Sequence, residues 1–130
     1  MPIHVTRPDG LPPVNGYSHV VIATGRLVHV SGQVPALPDG TVVDPSDVSA
    51  QTRQVFHNLE IALRAAGGTW SDVVKMNYYL TDLADLPAVR AVRDRILDPA
   101  ALPASSLVRV AGLVHPAFRI EIDAVAVVEG

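Results

Sequence analysis

The side chains that could bind a metal ion or perform covalent catalysis are few in this 130-residue sequence and widely spaced. Its histidines are His4, His19, His29, His57 and His115. No two of them are four residues apart or form an H-x-H pair, the spacings that bring imidazoles to one metal ion. The sequence has no cysteine, which excludes disulfides, thiolate ligands and cysteine nucleophiles. We therefore predict no metal ion and no cofactor.

Other function classes lack their sequence signals. There is no G-x-G-x-x-G, P-loop or G-x-S-x-G motif. The formal net charge is −3 and the ten Lys and Arg are scattered, which argues against a nucleic-acid partner. No apolar run reaches the ~18 residues of a membrane span. The start, Met1 to Gly10, lacks a signal-peptide pattern. We expect a cytoplasmic protein that binds neither nucleic acid nor membranes.

A site in this chain must therefore be assembled by the fold, for which the hydrophobic pattern predicts five strands. We expect residues 2–16, rich in proline and glycine, to be an irregular lead-in, and Thr24-Gly25 to form a hairpin turn between the first two strands. The predicted strands are Val20–Ala23, Leu27–Ser31, Val73–Leu80, Ser105–Ala111 and Arg119–Val128.

Two segments have the apolar spacing of helices. The first is capped by Ser46 or Asp47 and is ended by Gly67-Gly68. The second is expected to begin near Thr81 or Asp82, with Pro87 in its first turn, and to end at Asp98-Pro99. The order β-β-α-β-α-β-β over residues 1–130 predicts a single α+β domain with two helices on one face of a sheet.

The other face of that sheet is predicted to lack a cover. In the last strand Ile120 and Ile122 share one face, while Val125 and Val127 lie on the other, together with Leu107 of the preceding strand. Hydrophobic residues make up 48% of the chain and charged residues only 18%, so polar cover is scarce. Self-association would bury this face, and we predict a homo-oligomer with ligand pockets at the contacts between subunits.

Five segments, in order and spacing, resemble the RidA (YjgF) family, also called reactive intermediate deaminase or L-PSP-like. The resemblance spans roughly Tyr17 to Val127. It implies a chorismate-mutase-like α+β fold and a homotrimer with clefts between subunits. It also implies hydrolysis of 2-imino acids to 2-oxo acids and ammonia. The segments are Val14–Ser18 (VNGYS), Val30–Pro35 (VSGQVP), Gln51–Leu59 (QTRQVFHNL), Asp72–Met76 (DVVKM) and Ile120–Ala126 (IEIDAVA).

The same resemblance assigns catalytic roles to Tyr17, Ser31 and Glu121. The Tyr17 phenol would pack on a small substrate, Ser31 would offer a hydroxyl, and Gly32 would let the backbone approach the ligand. Glu121 would orient a water for attack on an imine carbon. The alternatives are that Tyr17 packs on its own loop and that Ser31 and Gly32 form an ordinary strand end with a bulge glycine. His19 is the one histidine near this group in sequence.

A further alternative is that Glu121 pairs with Arg119 or Arg109 across strands. Arg109 shares a strand face with Ser105 and Leu107, so it is also a candidate substrate-binding residue.

The sequence departs from the deaminases where they carry an arginine that binds the substrate carboxylate. Their Pro-Ala-Arg-Ser segment reads Pro-Ala-Ser-Ser here, with Ser105 in place of the arginine. Losing this bidentate contact would cost roughly 2–5 kcal/mol for a carboxylate substrate. Leu107 makes the pocket more apolar. Arg90 stands where the family often has asparagine, and it is either a relocated anion anchor or a solvated helix residue. We take Ser105, Leu107, Gly32, Arg90 and Arg109 as substrate-binding candidates.

Two functions remain open on these residues. The first is a RidA-like hydrolase of a reactive imine or enamine with an altered substrate preference. The second is a non-catalytic trimer that binds a small metabolite or another protein. A ribonuclease, which some family labels suggest, is disfavoured by the net charge of −3.

Overall fold

Residues 2–130, the part of the chain that the computed structural model describes, form six strands and two α-helices. The elements are β1 (Ile3–Val5), β2 (Val20–Ile22), β3 (Arg26–Gln33), α1 (Val48–Ala65), β4 (Val73–Leu80), α2 (Leu86–Ile96), β5 (Ala104–Arg109) and β6 (Ile120–Val128).

Helix α1 begins and ends as the sequence predicts. The Asp47 carboxylate accepts a hydrogen bond of 2.9 Å from the backbone N–H of Ala50, which satisfies one free donor of the first turn. Gly67, with φ of +78°, follows the last turn in the left-handed conformation that glycine adopts without strain.

Helix α2 begins later than predicted. Asp82 accepts a hydrogen bond from Ala84 and starts a 3₁₀ turn over Leu83–Asp85, and the α-helix begins only at Leu86. Pro87 lies in the first helical turn, where its missing N–H has no intrahelical partner to lose. The start predicted near Thr81 or Asp82 is therefore wrong by about one turn.

Four strands form the main sheet in the order β3-β6-β4-β5. β4 and β5 are parallel, connected through α2, and the other neighbours are antiparallel. The sheet is mixed, as predicted.

The predicted hairpin at Thr24-Gly25 is wrong. β2 pairs with β1, with Ile3 opposite Ile22, whereas β3 pairs with β6. Thr24-Gly25 therefore connects two different sheets. The lead-in is also not wholly irregular, because Ile3–Val5 forms a strand that gives β2 its partner. The order is β-β-β-α-β-α-β-β, one strand more than predicted.

The two helices cover one face of the sheet, as predicted, and the core lies between them and that face. Phe56, Leu59, Met76, Ile120 and Ile122 are fully buried there. Leu107 also packs against this core, so its predicted place on the uncovered face is wrong. It lies opposite Tyr78 in the β4–β5 register, and both point to the helix side.

The other side of the sheet, which we call the open face, has no helix over it in residues 2–130. Leu27 is 63% exposed and Val108 is 47% exposed, and Val125 and Val127 lie half-buried on β6. The predicted uncovered apolar face is therefore confirmed for the two β6 valines. Of the strand side chains, the open face presents Leu27, His29, Ser31, Lys75, Asn77, Tyr79, Ser106, Val108, Glu121, Asp123, Val125 and Val127. No helix among residues 2–130 has the length and apolar content needed to cross a membrane.

Candidate active site

A cavity of about 190 Å³ lies at the β5 edge of the sheet, on the helix side. It contains four of the eight predicted site residues: Tyr17, Arg90, Ser105 and Leu107. We call it the arginine pocket, because two arginines of α2 form part of its wall. The residues that line it are Asn15, Tyr17, Tyr78, Arg90, Arg93, Ser105 and Leu107.

The parallel pairing of β4 and β5 positions one wall of this pocket. Ser105 lies opposite Met76, and Leu107 lies opposite Tyr78. Residues two apart on a strand point to the same face, so the Ser105 and Leu107 side chains both point toward α2. On α2, Arg90 and Arg93 are three residues apart and thus share a helix face.

Arg93 is a pocket residue that the sequence analysis did not single out. It is only 7% exposed. Its Nη1 donates to the Asn15 carbonyl over 3.2 Å, and its Nη2 donates to Asn15 Oδ1 over 3.0 Å. Gly16, with φ of +72°, lies so close that an added Cβ would be 2.1 Å from Arg93 Nη2. Arg93 thereby holds the turn that leads into Tyr17. In the sequence, the indication that Arg93 lies in the same pocket was its spacing of three residues from Arg90.

The two arginines differ in their partners. Arg93 forms an ion pair of 2.9 Å with Asp94. Arg90 is half-buried and makes no hydrogen bond or ion pair with any other residue in the range 2–130. The hydroxyls of Tyr17 and Ser105 likewise have no hydrogen-bond partner in this range. The pocket therefore presents one uncompensated guanidinium and two free hydroxyls.

Tyr78 forms an apolar part of the wall. Its hydroxyl donates to Met76 Sδ over 3.6 Å. Burial raises the pKa of Tyr78 well above its ordinary value.

Ser31, Gly32 and Glu121 form a second group, on the open face, which we call the carboxylate patch. The register between β3 and β6 shifts between Val30 and Gln33, which places a bulge at Ser31 and Gly32. A Cβ added to Gly32 would lie 2.2 Å from Glu121 Oε2, so the carboxylate rests directly on the glycine backbone.

Neither predicted cross-strand partner neutralises Glu121. Arg119 instead forms an ion pair with Asp85 and donates through Nη1 to the Pro45 carbonyl over 3.0 Å. Arg109 is exposed at the end of β5 and does not line the arginine pocket. Glu121 makes no hydrogen bond or ion pair within residues 2–130, which leaves its oxygens available to a water or a ligand.

A polar network borders the carboxylate patch and was also missed. Asp123 accepts a 2.8 Å hydrogen bond from Asn77 Nδ2 and another of 2.8 Å from the Tyr79 hydroxyl. The hydrogen bond to Asp123 raises the pKa of Tyr79, and the nearby Glu121 charge acts in the same direction. In the sequence, this network was indicated by the spacing of two residues between Asn77 and Tyr79, which places both side chains on one face of β4.

The arginine pocket and the carboxylate patch lie back to back across the sheet. Tyr78 lines the pocket, while the next residue, Tyr79, lies on the open face opposite Glu121 in the β4–β6 register. Adjacent residues of a strand point to opposite faces, so one chain cannot direct both groups at one small molecule.

His19 does not line the arginine pocket, but its ring packs against Tyr17. The two ring centroids are 5.5 Å apart in an edge-to-face arrangement, and His19 Nε2 is 2.9 Å from the Pro12 carbonyl.

The sequence and the fold are those of a known family. The sequence model of the family described as Endoribonuclease L-PSP matches residues 8–128. The chain therefore belongs to the RidA/YjgF family.

Two relatives and one solved structure illustrate this similarity. The 3-aminoacrylate deaminase RutC of Acinetobacter baylyi is 37% identical over 126 residues, which span 97% of this chain and 98% of the relative. The 2-iminobutanoate/2-iminopropanoate deaminase of Escherichia coli is 38% identical over 105 residues, 79% of this chain and 80% of the relative. The Rid-family protein YyfB of Yersinia pestis superimposes with a TM-score of 0.88 at 36% identity, covering 95% of this chain and 97% of that one.

Proposed function

We propose that this protein hydrolyses a reactive imine or enamine in a cleft where the arginine pocket of one copy meets the carboxylate patch of another. The observation that carries this proposal is the half-buried Glu121 carboxylate, which lies on the Gly32 backbone with no partner in residues 2–130. Supporting it, the relatives from A. baylyi and E. coli are named as deaminases of an enamine and of imines.

The chemistry needs one base and one water. Glu121 accepts a proton from the water as the water oxygen bonds to the imine carbon, and it passes this proton to the imine nitrogen. The resulting tetrahedral carbon bears a hydroxyl and an amine. Glu121 then accepts the hydroxyl proton and gives it to the amine, so the C–N bond breaks, ammonia leaves and the oxygen becomes a carbonyl. An enamine first gains a proton on carbon and loses one from nitrogen, which makes it the imine. The reaction needs no oxidant or reductant.

The assembly follows from the geometry of the two groups. They lie on opposite sides of one sheet, so a shared ligand requires two chains. The aliphatic side chains of the open face, of which Leu27 is 63% exposed, favour contact between copies. We propose the homotrimer that the family resemblance implies, with one cleft at each junction.

The test measures how fast the protein removes imines above their spontaneous hydrolysis. 2-Iminopropanoate and 2-iminobutanoate are generated in the assay, beside an uncharged imine. Glu121→Gln should lower kcat by about 10²- to 10⁴-fold, the usual contribution of a general base. Glu60→Gln, which removes a carboxylate from the exposed side of α1, should leave kcat unchanged. Silence on every imine, or full activity of Glu121→Gln, would contradict the proposal.

A second function is favoured by one observation. Within a single chain the arginine pocket is already formed. Glu121, the proposed general base, lies on the other side of the sheet. A protein that only binds a small metabolite needs nothing more than this pocket. Thermal stabilisation by a 2-oxo acid together with no turnover of any imine would identify this function.

A further inference from the structure

We propose that Arg90 binds the carboxylate of the ligand in the arginine pocket and so takes over the role of the family arginine that Ser105 replaces. This inference rests on the proposed function for the identity of the reacting group, but the binding event can be tested without turnover.

The charges around the pocket single out Arg90. Among the residues that line it there is no aspartate or glutamate. Arg93 is compensated by Asp94 at 2.9 Å and donates twice to Asn15. Arg90 is half-buried with no such partner in residues 2–130. A partly desolvated guanidinium without a counter-charge is stabilised when an anion binds beside it.

Two hydroxyls add donors to this guanidinium. Tyr17 and Ser105 line the same cavity, and neither hydroxyl has a hydrogen-bond partner in residues 2–130. A carboxylate has two oxygens and about four lone-pair sites, so it can accept the Arg90 fork and a hydroxyl together. One free guanidinium matches the single negative charge of a carboxylate more closely than the double charge of a phosphate.

The remaining wall is apolar and the space is small. Leu107 packs against the core, and the Tyr78 ring is buried behind the pocket. The cavity of about 190 Å³ is below the roughly 300–1,000 Å³ of pockets that hold drug-sized ligands. A carboxylate at Arg90 would place its aliphatic group against Leu107, and the carboxylate patch of the other copy would complete the cleft.

The experiment measures binding by calorimetry with 2-oxobutanoate, which carries the carboxylate but has no C=N bond to hydrolyse. Arg90→Gln should weaken the Kd for 2-oxobutanoate by at least about 10-fold, because a charged partner is lost. Arg95→Gln removes the same charge from an exposed position of α2 outside the pocket and should leave the Kd unchanged. The uncharged amide of 2-oxobutanoate should bind weakly to all three proteins, and inorganic phosphate should not compete.

A second variant separates lost recognition from lost folding. Arg90→Gln combined with Ser105→Arg returns a guanidinium to the same cavity from the β5 wall, and it should recover most of the lost affinity. The proposal is overturned if the parent does not bind 2-oxobutanoate, if the amide binds as tightly as the acid, or if Arg90→Gln binds normally. It is also overturned if Arg109→Gln, rather than Arg90→Gln, causes the loss. Failure of imine turnover alone would refute the proposed function and leave these binding results intact.

Discussion

The contact between Gly32 and Glu121 is the most specific feature of the carboxylate patch at the scale of single residues. An alanine Cβ at Gly32 would lie 2.2 Å from Glu121 Oε2, so Gly32→Ala must displace the carboxylate. The carboxylate is the free end of a flexible side chain and can move at little cost in stability. We therefore expect Gly32→Ala to keep its Tm within a few degrees and to lose about 10-fold or more of kcat.

Gly112→Ala is the matched control for that substitution. A Cβ at Gly112 meets no atom within 4 Å, so this variant should retain both Tm and kcat. Equal activity of the Gly32 and Gly112 variants in the imine assay would mean that the position of the Glu121 carboxylate does not matter for the reaction.

The sequence could predict single site residues only where the family resemblance named them. Tyr17, Ser105 and Leu107 were placed in one cleft and do line one cavity. Arg93 was missed because neither composition nor motif separates a buried arginine from an exposed one. Its burial depends on Asn15, which is 78 residues away in the chain.

At the scale of elements, Arg93 connects α2 to the turn before β2. Arg93→Met removes two hydrogen bonds from a charged donor to Asn15, while Asp94 remains largely exposed and hydrated. We expect a loss of about 1–3 kcal/mol in the free energy of unfolding. Urea denaturation measures this loss, and hydrogen exchange should show faster opening of residues 15–17.

Arg95→Met changes the same residue type on the same helix without touching that turn, so its free energy of unfolding should stay within about 0.5 kcal/mol of the parent. If both variants lose the same stability, the effect belongs to α2 itself and not to the turn.

The sequence predicted the helices and strands that have a clear hydrophobic period, but it did not predict which strands pair with each other. The β6 alternation gave both faces correctly, because the side-chain period of a strand depends only on local geometry. The Thr24-Gly25 hairpin failed because a turn signal indicates a reversal but does not identify the strand that follows it. Ile3–Val5 was missed because three residues are too short to show a period.

At the scale of the whole molecule, the open face predicts which surface joins the copies. Leu27 and Ile61 are both aliphatic and at least half exposed, at 63% and 50%, but only Leu27 lies on the open face. Leu27→Lys should shift the mass measured by analytical ultracentrifugation toward a monomer, because a charge would have to be buried in the contact. Ile61→Lys on α1 should keep the parent mass. An unchanged oligomer in Leu27→Lys would place the contact elsewhere.

Division of the site between two chains can be tested by mixing inactive variants. Ser105→Phe fills the arginine pocket and leaves the carboxylate patch intact, while Glu121→Gln does the reverse. When their subunits exchange at random around a closed ring, about a quarter of the clefts combine an intact pocket with an intact patch. The mixture should therefore recover about a quarter of the parent activity in the imine assay, although each variant alone is nearly inactive.

Mixing Gly32→Ala with Glu121→Gln should recover nothing, because both substitutions damage the same group and every cleft contains one of them. If the Ser105→Phe and Glu121→Gln mixture also stays inactive after subunit exchange is verified by mass spectrometry, the two groups do not act in one cleft. Glu121 would then have to act without the arginine pocket, since within one chain the sheet lies between them.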